Sequence, residues 1–238
     1  MMRVEIWSDI ACPFCFIGKR RFEAALEKFT AKDQVDIIFR SFQLNSNAPL
    51  QTDKDIHTIL AEKYGMTLEK AKMMNSQITQ QAKDEGLDFH FDTLIPTNTF
   101  DAHRVLHFAA TQGKMDQMKE ALLKAYFTDS LNIGDHETLI KLAESIGIDG
   151  KAAEEVLQSE DFSSDVRTDQ ELASKIGVTG VPFFVFNQKY AVSGAQSREV
   201  FLEVLEKVKA EDIQEKPQLL NGQTTVPSNG CSDDGCEI

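Results

Sequence analysis

Two cysteines three residues apart, Cys12 and Cys15, are the residues best suited to do chemistry here. They sit in the run Cys12-Pro13-Phe14-Cys15. A short alternating run, Val4-Glu5-Ile6-Trp7, precedes them and a helical pattern from Phe16 to about Phe29 follows, so the pair falls at a strand-to-helix junction. The N–H groups of a first helical turn have no partners inside the helix, and the dipole is positive at that end. A thiolate at Cys12 would be stabilised there, so its pKa is expected to be lowered. Pro13 fits the first turn, where its missing N–H costs nothing. Cys15 is one turn along on the same face and can reach Cys12 to close a disulfide. That pattern suits thiol–disulfide exchange, although a lone C-x-x-C is also half a zinc site.

The elements that must hold this pair follow from periodicity. Val4–Trp7 predicts a first strand and Val35–Phe42 a second; with the helix between them they make a βαβ unit with parallel strands. From about Thr52 the period becomes helical, with helices over 53–64, 67–85, 98–112, 114–130, 135–146, 149–158 and 165–176. Gly65, Gly86, Gly113, Gly147 and Gly177 stand where a left-handed stop is expected, and Thr67, Asn98, Asp135 and Asp149 are the expected N-caps. The aromatic stretch Leu87–Leu94 is expected as a loop or short strand crossing toward the site. Pro182-Phe183-Phe184-Val185-Phe186 and Tyr190-Ala191-Val192 predict a hairpin around Asn187-Gln188. Gly194 marks a bulge or close backbone approach, and Ser197–Lys209 a last amphipathic helix.

The chain has 238 residues and a formal net charge of −13, which argues against nucleic acid or an anionic membrane face as partner. No apolar run is long enough for a membrane span. Met1-Met2-Arg3 leads directly into the first strand without an apolar targeting run, so the expected compartment is the cytoplasm. Cysteine pairs there are more often catalytic, redox-sensing or metal-binding than structural.

Cys-Pro-Phe-Cys at a helix start, together with Gly180-Val181-Pro182-Phe183-Phe184 entering a late strand, resembles the thioredoxin superfamily. The long helical insertion resembles its DsbA-like branch. Three phrases are similar to the FrnE-type cytosolic group of DsbA-like oxidoreductases: Ser8 to Cys15, Asn98-Thr99-Phe100-Asp101-Ala102-His103-Arg104, and Val192-Ser193-Gly194-Ala195-Gln196. The resemblance implies an α/β thioredoxin fold, built from 1–48 and 170–211, with an all-helical insertion over 49–169; after about Glu211 Gln, Asn, Pro, Gly, Ser and Thr dominate and the apolar pattern ends, so 212–238 is expected to be a flexible tail. It also implies Cys12 as attacking cysteine, Cys15 as resolving cysteine, Pro182 as a cis-proline, and Val181 as the residue whose backbone meets a bound substrate strand. The superfamily commonly places a buried acid on the first strand; Ile6 stands at that position here, which leaves the proton path open.

Around the pair, Pro13 and Phe14 are expected to meet substrate, with packing on Trp7 the other place for Phe14. Lys19, Arg20 and Arg21 are expected on a solvated face. His103 and His107 share a helix face, more in keeping with packing than with metal, and His103 is placed on the groove near Cys12. The implied activity is disulfide oxidation or isomerisation of protein substrates, with no cofactor beyond the dithiol and glutathione or a thioredoxin-type protein as reductant. A glutathione-dependent isomerase or transferase of small molecules, and a non-catalytic client-binding chaperone, remain alternatives. A second pair, Cys231 and Cys236, closes the chain. About twenty residues separate it from Glu211, a reach of roughly 25 Å, which suits an arm exchanging with Cys12 and Cys15; zinc binding and an inert tail are the other readings.

Overall fold

A computed structural model describes residues 1–214. The βαβ unit forms as expected: strand β1 (Met2–Ser8), helix α1 (Pro13–Lys28) and strand β2 (Val35–Ser41), with a short 3-10 turn at Lys32–Gln34. Seven helices follow: α2 (Ile56–Tyr64), α3 (Leu68–Asp84), α4 (Phe100–Thr111), α5 (Met115–Phe127), α6 (His136–Ser145), α7 (Gly150–Gln158) and α8 (Ser163–Lys175). Strands β3 (Phe183–Phe186) and β4 (Tyr190–Ser193) and helix α9 (Arg198–Gln214) complete the described chain. The expected flexible tail lies outside the described residues, except that α9 carries the helix on to Gln214.

The sheet order is β2-β1-β3-β4, with β1 parallel to β2 and antiparallel to β3, and β3 antiparallel to β4. Ile6 stands beside Phe39 and Phe184, and Phe184 beside Val192. Alternation along the strands sends these side chains to one face. There Phe22 of α1 meets Phe184 at 5.5 Å and Phe201 of α9 at 5.6 Å between ring centroids. The opposite face carries Trp7, Phe183 and Val185, packed with Leu172, Ala173 and Val178. Helices α1 and α9 thus cover one face and α8 the other.

Within the helical block α4 packs on α5, α6, α7 and α8. Buried Arg104 donates to the carbonyls of Val156, Ser159 and Asp161, satisfying orphan acceptors at the end of α7. The 87–94 stretch is a loop and not a strand. Leu87, Phe89 and Phe91 turn inward as alternate residues, so the period of two holds over 87–91, but no ladder forms around it; Leu94 turns inward three residues on. Phe89 joins the block to α1 by stacking on Phe127 at 4.7 Å and on Phe16 at 5.8 Å.

Three local expectations are corrected. Asn98 is not the N-cap of α4: Thr99 holds that place without a side-chain bond, and the Asn98 side-chain Oδ1 accepts from Phe100 N–H at 2.9 Å. The hairpin connection has three residues, 187–189, because Phe186 pairs with Tyr190. Both Asn187 and Gln188 take positive φ, which matches the twist of the flanking strands. Nor is Lys19-Arg20-Arg21 a solvated face. Lys19 is buried, with partners Glu23, Asp116 and Glu120; Arg20 pairs with Glu120 and lies over the Phe16 ring; Arg21 pairs with Glu85. These charges join α1 to α5 and to the end of α3.

Candidate active site

Strand β1 ends at Ser8, and a three-residue loop delivers Cys12 to the N-cap of α1, with Pro13 at the first helical position. The Cys15 N–H donates to the Cys12 carbonyl at 3.0 Å, which sets the first turn. From the far side of the sheet the loop before β3 arrives with a cis Val181–Pro182 bond. The Cys12 thiol donates to the Val181 carbonyl at 3.5 Å. The Gly194 N–H holds the Pro182 carbonyl at 2.8 Å, so the predicted close backbone approach at Gly194 is this contact. Beneath the proline lies Gly18 of α1, where a Cβ would come within 2.9 Å of the Pro182 ring.

Cys12, Pro13, Phe14 and Val181 line one end of a groove of about 800 Å³. Its other walls are Ile56, Ile59 and Leu60 of α2, Met74 and Ile78 of α3, and Leu94 and Pro96 of the following loop. Phe14 is 39% exposed, so it projects to the groove rather than packing on Trp7, whose indole N–H is tied to the Asp169 carbonyl at 3.0 Å. Cys12 and Cys15 are free thiols, each only 3% exposed. Cys12 borders the groove and Cys15 lies behind it.

The charge of the dithiol is arranged differently from the sequence expectation. Cys12 makes no capping bond to the free helix N–H groups. The neighbouring Cys15 sulfur, together with burial, holds it well above the ordinary thiol value. Burial opposes ionisation at Cys15 as well, but the neighbouring Cys12 thiol, the Lys119 ammonium and donors at Ser8 and the Asp9 backbone draw it lower. The two thiols therefore titrate as one pair that shares a proton.

Asp9 is the buried acid of the site, reached from the loop after β1. Its carboxylate accepts from Leu44 N–H at 2.8 Å, Ala11 N–H at 3.4 Å and His103 Nε2 at 3.3 Å. Burial pushes its pKa up, but these partners outweigh it and leave the value below 3.8. His103 is fully buried behind Asp9 and is not a groove residue, which corrects its expected substrate-binding place. Burial lowers it below 6.5 against the pull of Asp9. His107 is engaged elsewhere, with the Ser41 hydroxyl and Asp169.

The two shifts act on stability in the same direction. A depressed carboxylate stabilises the fold above 3.8, and that contribution is lost as pH falls through its folded value. A depressed histidine lets the unfolded chain take the proton first, so stability falls once pH drops below 6.5. The urea midpoint is therefore expected to decline from about pH 6.5 downward. A midpoint that climbs on acidification between pH 6.5 and 4 would contradict this pairing.

Sequence reasoning missed Lys119, whose only signal was a lysine on the apolar stripe of α5 with Met115, Leu122 and Tyr126. It also missed Ser8 and the role of Asp9. Cys231 and Cys236 lie outside the described residues. Among the described residues no group of three or more His, Cys, Asp or Glu side chains converges as a metal site, and no helix is long and apolar enough to cross a membrane.

Comparison with known proteins places this arrangement among relatives. The family described as DSBA-like thioredoxin domain matches residues 3–206. The crystal structure of a "probable DsbA oxidoreductase" from Streptomyces coelicolor is similar with a TM-score of 0.86 and 38% identity, covering 100% of this chain and 99% of that one. The YwbO protein of Bacillus subtilis (strain 168) is 28% identical over 202 residues, 84% of this chain and 94% of its own. The cytosolic disulfide reductase DsbM from Pseudomonas aeruginosa, solved with GSH, has a TM-score of 0.59 at 15% identity, covering 89% of this chain and 98% of its own; that likeness shows the fold alone.

Proposed function

The chain belongs to the family of DSBA-like thioredoxin domains, and from that premise we propose that it is a cytosolic thiol–disulfide oxidoreductase and disulfide isomerase of protein substrates, acting through Cys12 and Cys15. The observation that carries the reading is the Cys12 sulfur at the end of the groove, 3.5 Å from the Val181 carbonyl, with Cys15 behind it. A substrate strand laid along the groove would meet the Val181 backbone and present its own sulfur to Cys12.

As an oxidant, the Cys12–Cys15 disulfide is attacked at Cys12 by a substrate thiolate, and Cys15 leaves with the electron pair. A second substrate thiolate attacks the substrate sulfur of the mixed disulfide and releases Cys12; the substrate loses two electrons and the protein gains them. As an isomerase, the reduced pair passes its shared proton inward, and the Cys12 thiolate attacks a mispaired substrate disulfide. Glutathione or a thioredoxin-type protein would restore the dithiol. The apolar walls of α2 and α3 suit the side chains of unfolded segments and give Pro13 and Phe14 a part in holding them.

The largely apolar groove beside Cys12 favours a second reading, glutathione-dependent isomerisation or transfer of small molecules; DsbM, a fold relative, is solved with GSH. Reduction of insulin and reactivation of scrambled ribonuclease separate the two. Both activities are expected from the intact protein. Absence of both, with turnover of a small-molecule glutathione adduct that survives Cys15→Ser, would move the assignment to the second reading.

A further inference from the structure

A buried amine without a hydrogen-bond partner lies on α5, the helix clamped through Lys19 to the face of α1 that also carries Cys15, four residues earlier. Lys119 is 1% exposed, and its Nζ makes no hydrogen bond among the described residues. It hangs 5.8 Å from the centroid of the Phe39 ring, too weak a contact to offset burial of a full charge. Its helix, α5, is held to the cysteine-bearing helix by Lys19 and Arg20, both paired with Glu120, and by Lys19 paired with Asp116.

The groups acting on Lys119 come from several elements. Cys15 and Cys12 act from the start of α1, Asp9 from the loop after β1, and Lys19 from further along α1; His103 of α4 feels the lysine in turn. Asp9 already accepts from Leu44, Ala11 and His103. Cys15 is therefore the ionisable partner left to answer the amine, and Lys119 is the principal charged side chain acting on Cys15. Ile6, on β1, offers no acceptor.

Resting on the dithiol reading of the site, we propose that Lys119 is the charge partner of Cys15: its ammonium balances the Cys15 thiolate through space, both when the disulfide opens and when the thiolate must form again before the disulfide closes. In the opening direction a substrate thiolate attacks the Cys12 sulfur, the Cys12–Cys15 bond breaks, and its electron pair stays on Cys15 beside the ammonium. In the closing direction Cys15 gives up its proton to a base of the medium, the ammonium steadies the thiolate that forms, and the sulfur attacks Cys12. The bond from Cys12 to the substrate sulfur then breaks, and the substrate leaves as a thiolate with the electron pair. Lys119 touches neither substrate nor groove, so it is a positioning residue that works through Cys15. Burial lowers its ammonium from 10.5 to about 8, with Cys15 and Asp9 opposing that fall, so both protonation states are within reach near neutral pH.

The test is the thiolate titration of Cys15 in Cys12→Ser protein, with and without Lys119→Met, corrected against Cys12→Ser with Cys15→Ser and kept under a phosphine reductant. Without the amine the Cys15 midpoint is expected to rise by about one pH unit or more, while the melting temperature holds or rises, because methionine keeps the length and removes the buried charge. A Cys15 midpoint that stays in place in folded Lys119→Met protein overturns the proposal. A second measurement needs no variant: the side-chain nitrogen titration of Lys119 in reduced and oxidised wild-type protein. Its midpoint is expected to fall on oxidation, when the neighbouring anion disappears, and an identical midpoint in the two states overturns the proposal equally. Insulin reduction by the wild-type protein, run alongside, keeps the failures apart. An inactive wild type defeats dithiol exchange, whereas an active wild type with an unmoved Cys15 defeats only the role of Lys119.

Discussion

Replacing Cys12 with serine is expected to lower insulin reduction by at least about a thousandfold, the scale of losing a covalent nucleophile. The hydroxyl can occupy the same N-cap and donate to the same Val181 carbonyl, so the fold should be undisturbed and the loss purely chemical. Cys15→Ser should behave differently. Cys12 borders the groove and can still form a mixed disulfide, but the inner sulfur that would displace the substrate is gone. A covalent adduct with substrate peptide is therefore expected to accumulate in Cys15→Ser and not in Cys12→Ser, read by intact-mass spectrometry. If Cys12→Ser retains a tenth of the activity, or if the adduct forms on Cys15, then Cys12 is not the attacking sulfur and Cys15 is not the resolving one.

Asp169→Ala is expected to cost about 3 kcal/mol of stability while sparing the exchange activity of the folded fraction. The side chain, 2% exposed on α8, accepts from the Ser41 backbone N–H at 2.9 Å and from Arg40 at 3.0 Å, and lies 3.2 Å from His107 Nε2. Its own carbonyl receives the Trp7 indole N–H. One residue thus ties α8 to β2, to β1 and to α4. Alanine would strand the Ser41 donor and the Arg40 charge; Arg40 keeps Glu5 and partial access to water, which holds the loss toward the lower end for a broken buried pair. For a domain of this size the melting temperature should drop by roughly 6–12 °C. Asp169→Asn keeps an acceptor for Ser41 and should lose less. A shift in urea-derived stability below about 1 kcal/mol for the alanine variant would show that the contacts are not what pins α8 to the sheet.

Much of the architecture could be read from the chain because its signals are local. Gly65, Gly147 and Gly177 take positive φ at helix ends, where their place after the last apolar residue predicted it. Asp135, Asp149 and Thr67 cap the helices they precede. Cys12 at the mouth of α1 and the proline entering β3 follow from spacing and resemblance. What escaped depends on which helix lies against which. Lys19 reads as a surface lysine until α5 brings Glu120 and Asp116 to it. His103 reads as a groove residue until α4 turns it inward onto Asp9. Lys119 reads as one more lysine in a charged helix, and only the burial of α5 under the dithiol gives it meaning. The raised pKa of Cys12 escaped for the same reason: the helix mouth is visible in sequence, but the burial of the thiol against Cys15 and the Val181 carbonyl is not.

The missing side chain at Gly18 couples two parts of the molecule that are remote along the chain. With no room for a methyl group between α1 and the Pro182 ring, the helix that carries the sulfurs acts as the anvil on which the opposing loop is shaped. Variation at residues 180–182 and variation along α1 are then not independent, and grafting either piece from a relative without the other would leave a void or a collision under the reacting sulfur. Redesign of what the groove accepts is freer in α2 and α3, which form its opposite bank.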